Sequence, residues 1–258
     1  RVFNMDGELI HTLPLEGPGS SPSMFMDREV RPTDIFAFSH ATFTRVGDLF
    51  VHDPATGELT NVSKVTVSLE NVVAEQRFAV SRDGTRISYF LVYRKDIDLG
   101  RSQPALVYAY AGFNTALAAY LPNPHAPFIE AGGIFVQPAL RGGSEYGKPW
   151  HEAGRRMNKR NTFDDLEAVA KALIDDGVSS PDLMAFEGNS NGGMVAGAAA
   201  VFQPHLWRVI VPVVPVLDLL TLPPDLDPTM QAAIVDEFGD VGDAEVARYI
   251  HSWSPYQN

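Results

Sequence analysis

A serine flanked by glycines, Gly188-Asn-Ser190-Asn-Gly192-Gly193, stands where an apolar run, Leu183-Met-Ala-Phe-Glu187, gives way to a stretch of small residues from Asn191 to Phe202. Strand, sharp turn and helix in immediate succession are the context that a G-x-S-x-G elbow requires. A turn this tight leaves no room for a Cβ two residues before or after the serine, and it throws the serine clear of the strand end. The serine Oγ then lies beside a helix N-terminus, whose free N–H groups can stabilise an oxyanion. The backbone N–H of Asn191 is the first donor expected.

The segments around the elbow agree with it. Ala105-Leu-Val-Tyr-Ala-Tyr110 and Gly133-Ile-Phe-Val136 are short continuous apolar runs, as expected of parallel strands covered on both faces, and Arg208 to Val214 reads as a further strand. Leu166, Val169, Ala170, Leu173 and Ile174 recur at helical spacing, with Thr162 the expected N-cap and Asp164 and Asp165 in the first turn. Strand and helix therefore alternate, and the fold class is α/β with a mostly parallel sheet and helices on both faces. Residues 1–70 read differently. Asp34-Ile-Phe-Ala-Phe, Gly47-Asp-Leu-Phe-Val-His and Glu58-Leu-Thr-Asn-Val are short strands separated by turns, and two more strands are expected at Val72–Val80 and Thr85–Tyr93. The division expected is a β-rich segment at 1–70 and an α/β portion at 71–258.

Composition narrows the chemistry. Twenty Lys+Arg against 32 Asp+Glu leave a net charge of −12, a surface that repels phosphate backbones and anionic lipid, so neither nucleic acid nor membrane is an expected partner. The longest apolar stretches fall short of a membrane span. The absence of cysteine excludes thiolate metal sites and cysteine nucleophiles. The compartment stays open, with the cytoplasm favoured, and the first residue, Arg1, suggests a chain that starts inside a longer protein.

Three further patterns do not lead to sites. Gly142 to Lys148 imitates a phosphate loop, but Pro149 replaces the hydroxyl residue that ligates magnesium. His151-Glu152 opens like a zinc-protease helix, but Arg155 holds the second histidine's place. Asp225 and Asp227 lack the glycine and terminal glutamate of a calcium loop and read as solvated loop charges. No metal and no cofactor is expected.

Tyr108-Ala-Tyr-Ala-Gly-Phe-Asn114, Arg141-Gly-Gly-Ser-Glu-Tyr-Gly147, Trp150-His-Glu-Ala-Gly154, Asn158-Lys-Arg-Asn161, Phe163-Asp-Asp-Leu166 and the elbow follow one another in an order and spacing that resembles the prolyl oligopeptidase family of serine peptidases, from about Val72 to Asn258. The resemblance implies an α/β-hydrolase fold, with residues 1–70 the end of a β-propeller. It implies that Ser190 is acylated, that the Asn191 N–H and the Tyr110 phenol receive the oxyanion, and that Phe113 lines the substrate pocket. On the residues alone, Tyr110 reads as a half-buried strand-end tyrosine and Phe113 equally as core. Arg141, Glu145 and Trp150 hold the loop and helix in place.

The chain departs from the family at several positions. Ile234 occupies the place of the pocket tryptophan of proline-selective members, within a loop that looks about three residues longer, and leaves residue preference open. Ala111 and Asn189 replace glycines usual in the proline-cleaving members. After Ser190 the histidines are His205 and His251, neither at the catalytic position, and Asp218 matches a structural aspartate. The triad's Asp and His are therefore expected beyond residue 258, in the remainder of the same peptidase, and the chain alone is expected to be inactive. The substrate expected is a short peptide. A carboxylesterase on the same fold and a non-catalytic remnant serving as a binding or scaffolding piece are the competing readings.

Overall fold

The computed structural model describes residues 1–258 except 5, 16, 22–23, 26–34, 64–66, 122 and 224. The chain divides into two compact units, Arg1–Ala74 with Ala118–Pro127, and Glu75–Leu117 with Phe128–Asn258. Residues 118–127 thus group with the first unit although they lie deep inside the expected α/β portion.

The first unit is antiparallel β structure. β1 (Val2–Phe3) pairs with β2 (Leu9–His11), and a second sheet places β3 (Gly19–Ser20), β5 (Phe36–Thr42), β6 (Arg45–Asp53) and β7 (Glu58–Asn61) in that order, with β4 (Met24–Phe25) also on β5. The expected strand at Asp34 begins at Phe36; Asp34 itself lies outside the described residues. Phe38 stacks on Phe50 across β5 and β6 at 5.7 Å, a cross-strand pair of the kind that holds a meander in register.

The second unit carries the elbow. Its six strands are β8 (Val72–Val80), β9 (Arg86–Arg94), β10 (Ala105–Tyr108), β11 (Ile134–Pro138), β12 (Met184–Asn189) and β13 (Val209–Val213), arranged in the order β13-β12-β10-β11-β9-β8. β13, β12, β10 and β11 run parallel, and β9 lies antiparallel to β11. The α-helices among the described residues are α1 (Ala126–Glu130), α2 (Lys148–Glu152), α3 (Arg160–Asp175), α4 (Asn191–Phe202), α5 (Pro228–Phe238) and α6 (Ala244–His251). From β10 the chain winds first to β11 on one side, then crosses back to β12 on the other. With right-handed crossovers, the connections before and after this reversal cover opposite faces of the sheet. The reversal also opens a crevice at the carboxyl ends of β10 and β12, where open α/β sheets bind their ligands.

The core between sheet and helices is built mainly of apolar side chains. Ile87, Leu91, Val107, Val136, Phe186, Met194 and Trp253 are 0% exposed. The α3 stripe buries Leu166, Val169, Ala170 and Leu173 as its spacing predicts. The edge strand β13 differs: Val209 and Val211 are 50% and 38% exposed despite an uninterrupted apolar sequence.

Three local expectations are corrected. Thr162 is not an N-cap. Helix α3 starts two residues earlier, at Arg160, and Thr162 is buried inside it, its hydroxyl donating to the Arg141 carbonyl at 2.7 Å. Asp165 is buried too and pairs with the Arg141 guanidinium rather than with the helix dipole. Asp227 is not a free loop charge. Its carboxylate caps α5, accepting from the Thr229 and Met230 N–H groups at 2.9 and 3.2 Å, with Pro228 at the first helical position.

Candidate active site

Ser190 sits at the joint between β12 and α4 with φ 55° and ψ −112°, a left-handed conformation for a residue that carries a Cβ. Packing on both sides of the turn enforces it. A Cβ on Gly188 would fall inside the contact shell of the Gly192 carbonyl, and one on Gly192 would strike the Ala109 carbonyl at the end of β10. The Ser190 N–H donates to the Val213 carbonyl of the neighbouring strand at 2.9 Å. Strain of this kind costs on the order of 1–3 kcal/mol and persists only where the surroundings over-determine it. Ser190 itself is half-buried, and Asn191 is 2% exposed at the first position of α4, where its backbone N–H has no acceptor within the helix.

Across the crevice, the segment after β10 forms a second strained turn. Ala111, Phe113 and Asn114 have φ of 57°, 52° and 53°. The left-handed Ala111 accounts physically for glycine being the residue usual there. Hydrogen bonds from other elements hold three carbonyls of the turn and the chain just after it. The Asn191 side-chain amide donates to the Tyr110 carbonyl at 2.6 Å, and the Lys159 ammonium to the Ala111 carbonyl at 2.8 Å. The Ser144 hydroxyl donates to the Asn114 carbonyl at 2.8 Å, and the Leu117 N–H to the Glu145 carboxylate at 2.9 Å.

The turn brings the Tyr110 phenol to the serine. Burial pushes that phenol above its ordinary range, the neighbouring Ser190 hydroxyl opposes the rise, and the nearby Glu237 carboxylate adds to it. Phe113 is half-buried, and its ring meets Phe238 edge-on at 5.8 Å. Ile234 does not lie in a loop. It is on α5, four residues before Phe238, and is 8% exposed within the hydrophobic core. Asn189 is exposed beside the serine.

The residues expected to be structural are so placed. Arg141 is buried and bonded to Asp165, Asp83 and Ser81. Trp150 packs edge-on to Tyr146 at 4.9 Å. Asp218 accepts from the Leu220 and Thr221 N–H groups and the Gln257 amide. His205 is exposed beyond the far end of α4, whose 12 residues put it more than about 18 Å along the helix from the elbow. His251 is exposed at the end of α6.

One cluster was not anticipated as a unit. Lys159 and Glu237, 0% and 2% exposed, face one another at 3.5 Å, and His151 Nε2 lies 2.8 Å from the other Glu237 oxygen. The three residues come from three separate segments. His151 and Lys159 fall within two of the sequence blocks that carry the family resemblance, and Glu237 opens the Glu237-Phe-Gly239 segment, but nothing local marks them as partners.

Residues 122–258 match the model of the prolyl oligopeptidase family. The prolyl endopeptidase of Elizabethkingia meningoseptica is 34% identical over 261 residues, covering 100% of this chain and 36% of its own length. The chain belongs to the prolyl oligopeptidase family. Among solved structures, one of a pair of prolyl endopeptidases superposes with a TM-score of 0.87 at 32% identity, covering 98% of this chain and 37% of that one. Prolyl oligopeptidase B from Galerina marginata, bound to a 35mer hydrolysis and macrocyclization substrate, superposes with a TM-score of 0.90 at 29% identity, covering 99% and 36%. The chain thus spans little more than a third of the relatives it matches. In family terms, the second unit is an α/β-hydrolase sheet, and the β-rich first unit resembles the end of a β-propeller. No helix among the described residues is long and apolar enough to cross a membrane.

Proposed function

We propose that this chain carries the nucleophile and oxyanion site of a serine peptidase that hydrolyses short peptides through an acyl-enzyme. The observation that carries the reading is a strained serine, φ 55°, set beside a half-buried phenol at the switch point of a parallel sheet. The Ser190 Oγ attacks the scissile carbonyl carbon while a histidine takes its proton. The carbonyl oxygen becomes an oxyanion between the Asn191 N–H and the Tyr110 phenol, each such donor stabilising the transition state by about 2.7–4 kcal/mol. Collapse breaks the C–N bond, and the histidine returns the proton to the departing amine. Water then attacks the ester and frees Ser190.

The base and its carboxylate partner belong to sequence beyond residue 258, because His205 lies exposed beyond the far end of α4, His251 lies exposed at the end of α6, and Asp218 is committed to two backbone amides and the Gln257 amide. The apolar, half-open edge of β13 is consistent with further strands in the intact protein. Phe113 forms one wall of the substrate pocket, and Ile234 backs it with an aliphatic surface rather than an aromatic platform. Fluorophosphonate labelling of the full-length protein tests the reading. Label is expected on Ser190 and is expected to vanish in Ser190→Ala. Label that persists in that variant moves the nucleophile elsewhere, and hydrolysis of matched esters without the corresponding peptide amides makes the protein an esterase.

A further inference from the structure

The Lys159–Glu237–His151 cluster lies directly behind the Tyr110–Asn114 turn, in surroundings where a charge is expensive. The Lys159 ammonium has three neighbours: the Ala111 carbonyl at 2.8 Å, the Glu237 carboxylate at 3.5 Å and the Phe238 ring at 5.6 Å. Phe238 in turn meets Phe113. One side chain therefore touches both the turn that carries the phenol and the pocket wall and the helix that backs them. The helix end is clamped from the same side. Arg155 and Arg156 both donate to the Asp236 carbonyl, at 3.3 and 2.9 Å, and to its carboxylate. Four cationic or imidazole groups from residues 151–159 thus converge on the C-terminal turn of α5, where the helix dipole is negative.

We infer that Lys159 is a positioning residue for the reaction assigned to Ser190: through the Ala111 carbonyl and Glu237 it fixes the Tyr110 phenol on the oxyanion position and shields that position from the Glu237 charge. The inference rests on the peptidase reading. Two physical effects support it. Ala111 is left-handed and relaxes unless its carbonyl is held, which carries Tyr110 with it. A bare Glu237 also opposes negative charge forming at Tyr110, since that carboxylate already raises the phenol. His151 holds the far Glu237 oxygen and completes the cluster.

A double-mutant cycle in the full-length protein separates positioning from mere structure. Lys159→Met is expected to lower kcat on a chromogenic peptide amide by about tenfold to a hundredfold with KM changed less, because a misplaced donor forfeits part of what its deletion costs. In a Tyr110→Phe background the same substitution is expected to cost under about twofold, since the group it positions is gone. Equal losses in both backgrounds overturn the inference.

A second readout needs no Lys159 variant and so survives if Lys159→Met does not fold. Burial pulls the Lys159 ammonium down to about 8, against the upward pull of Glu237. The groups facing it are Glu237 on α5, with His151 of α2 and Tyr110 beyond that carboxylate, and Tyr249 of α6 at its backbone. The wild-type kcat is expected to fall as pH rises through about 8, and Tyr110→Phe to lack that limb. The same limb in both proteins overturns the inference. Fluorophosphonate labelling of wild-type Ser190 distinguishes the two levels: absent label removes the peptidase reading, whereas label with additive losses removes only the role of Lys159.

Discussion

The elbow at Ser190 and the ionic layer behind Ala111 converge on one crevice, yet they are built from different materials. The elbow is backbone and glycine. Its geometry follows from contacts among residues 188–193, the end of β10 and Val213, with no charged side chain involved. The ionic layer is made of long polar side chains, His151 from α2, Lys159 just before α3 and Glu237 from α5, set against the Ala111 carbonyl of the turn after β10. The elbow holds its strain by having no alternative packing. The ionic layer holds the second turn by hydrogen bonds that must all be present together. One is a steric device and the other an electrostatic one, and they should fail differently.

The largest effect expected is on the elbow's chemistry. Ser190→Ala should lower kcat of the full-length protein by about 10⁶, with stability unchanged. Ser190→Gly should be equally inactive but more stable, by about 1 kcal/mol, because glycine adopts φ 55° without strain. Thermal unfolding of the two variants side by side checks this. Equal melting temperatures would mean that the elbow stores no strain.

Gly192→Ala comes next and tests the steric device directly. The added methyl meets a backbone carbonyl at the end of β10, which cannot step aside as a flexible side chain would. A loss of about 3 kcal/mol or more is expected, with Ser190 labelling lost even where the protein stays folded. Chemical denaturation and fluorophosphonate labelling measure the two halves. Near-neutral behaviour would show that the strand end gives way, and that the glycine is not required by packing.

Much of the elbow was legible because its information is local: the glycines, the apolar run before them and the small residues after them are contiguous, and the α3 stripe repeats at a fixed period. The electrostatic device was not legible, because the partners of Lys159 lie far along the chain and a buried lysine looks like any surface lysine in sequence. The errors share that cause. Thr162 has the chemistry of an N-cap, and only the distant Arg141 carbonyl explains why it is inside the helix instead. Ile234 is expected in a loop only from its position relative to the family's pocket tryptophan, although Asp227-Pro228 is a helix-start signal that local reasoning could have used.

Tyr110→Phe probes the point where the two devices meet. Removing one oxyanion donor should reduce kcat by about 10²–10³ and leave KM nearly unchanged, because the phenol acts on charge that exists only in the transition state. Steady-state kinetics on a peptide amide decide it. A change confined to KM would make Tyr110 a ground-state binding residue and would detach the ionic layer from catalysis.

The smallest effect concerns a second ionic group in the same unit, and shows how burial divides one arginine between two partners. Arg141 binds Asp165, which is fully buried, and Asp83, whose side chain is 47% exposed. The Arg141 guanidinium, aided by Thr85, holds the Asp83 carboxyl down at about 2, below its ordinary 3.8. A carboxyl lowered on folding binds fewer protons in the folded than in the unfolded chain, so its contribution is present above pH 3.8 and disappears as pH falls toward 2. Solvent screening keeps that contribution within about 1 kcal/mol for so exposed a pair. Asp83→Asn should therefore remove a shallow acid limb from the stability profile and change little at neutral pH. Asp165→Asn should instead destabilise by about 3 kcal/mol or more at every pH above that limb, because it leaves the Arg141 charge buried against a neutral partner. Urea unfolding of both variants between pH 2 and 7 compares them, and equal losses at neutral pH would show that exposure does not govern the strength of these pairs.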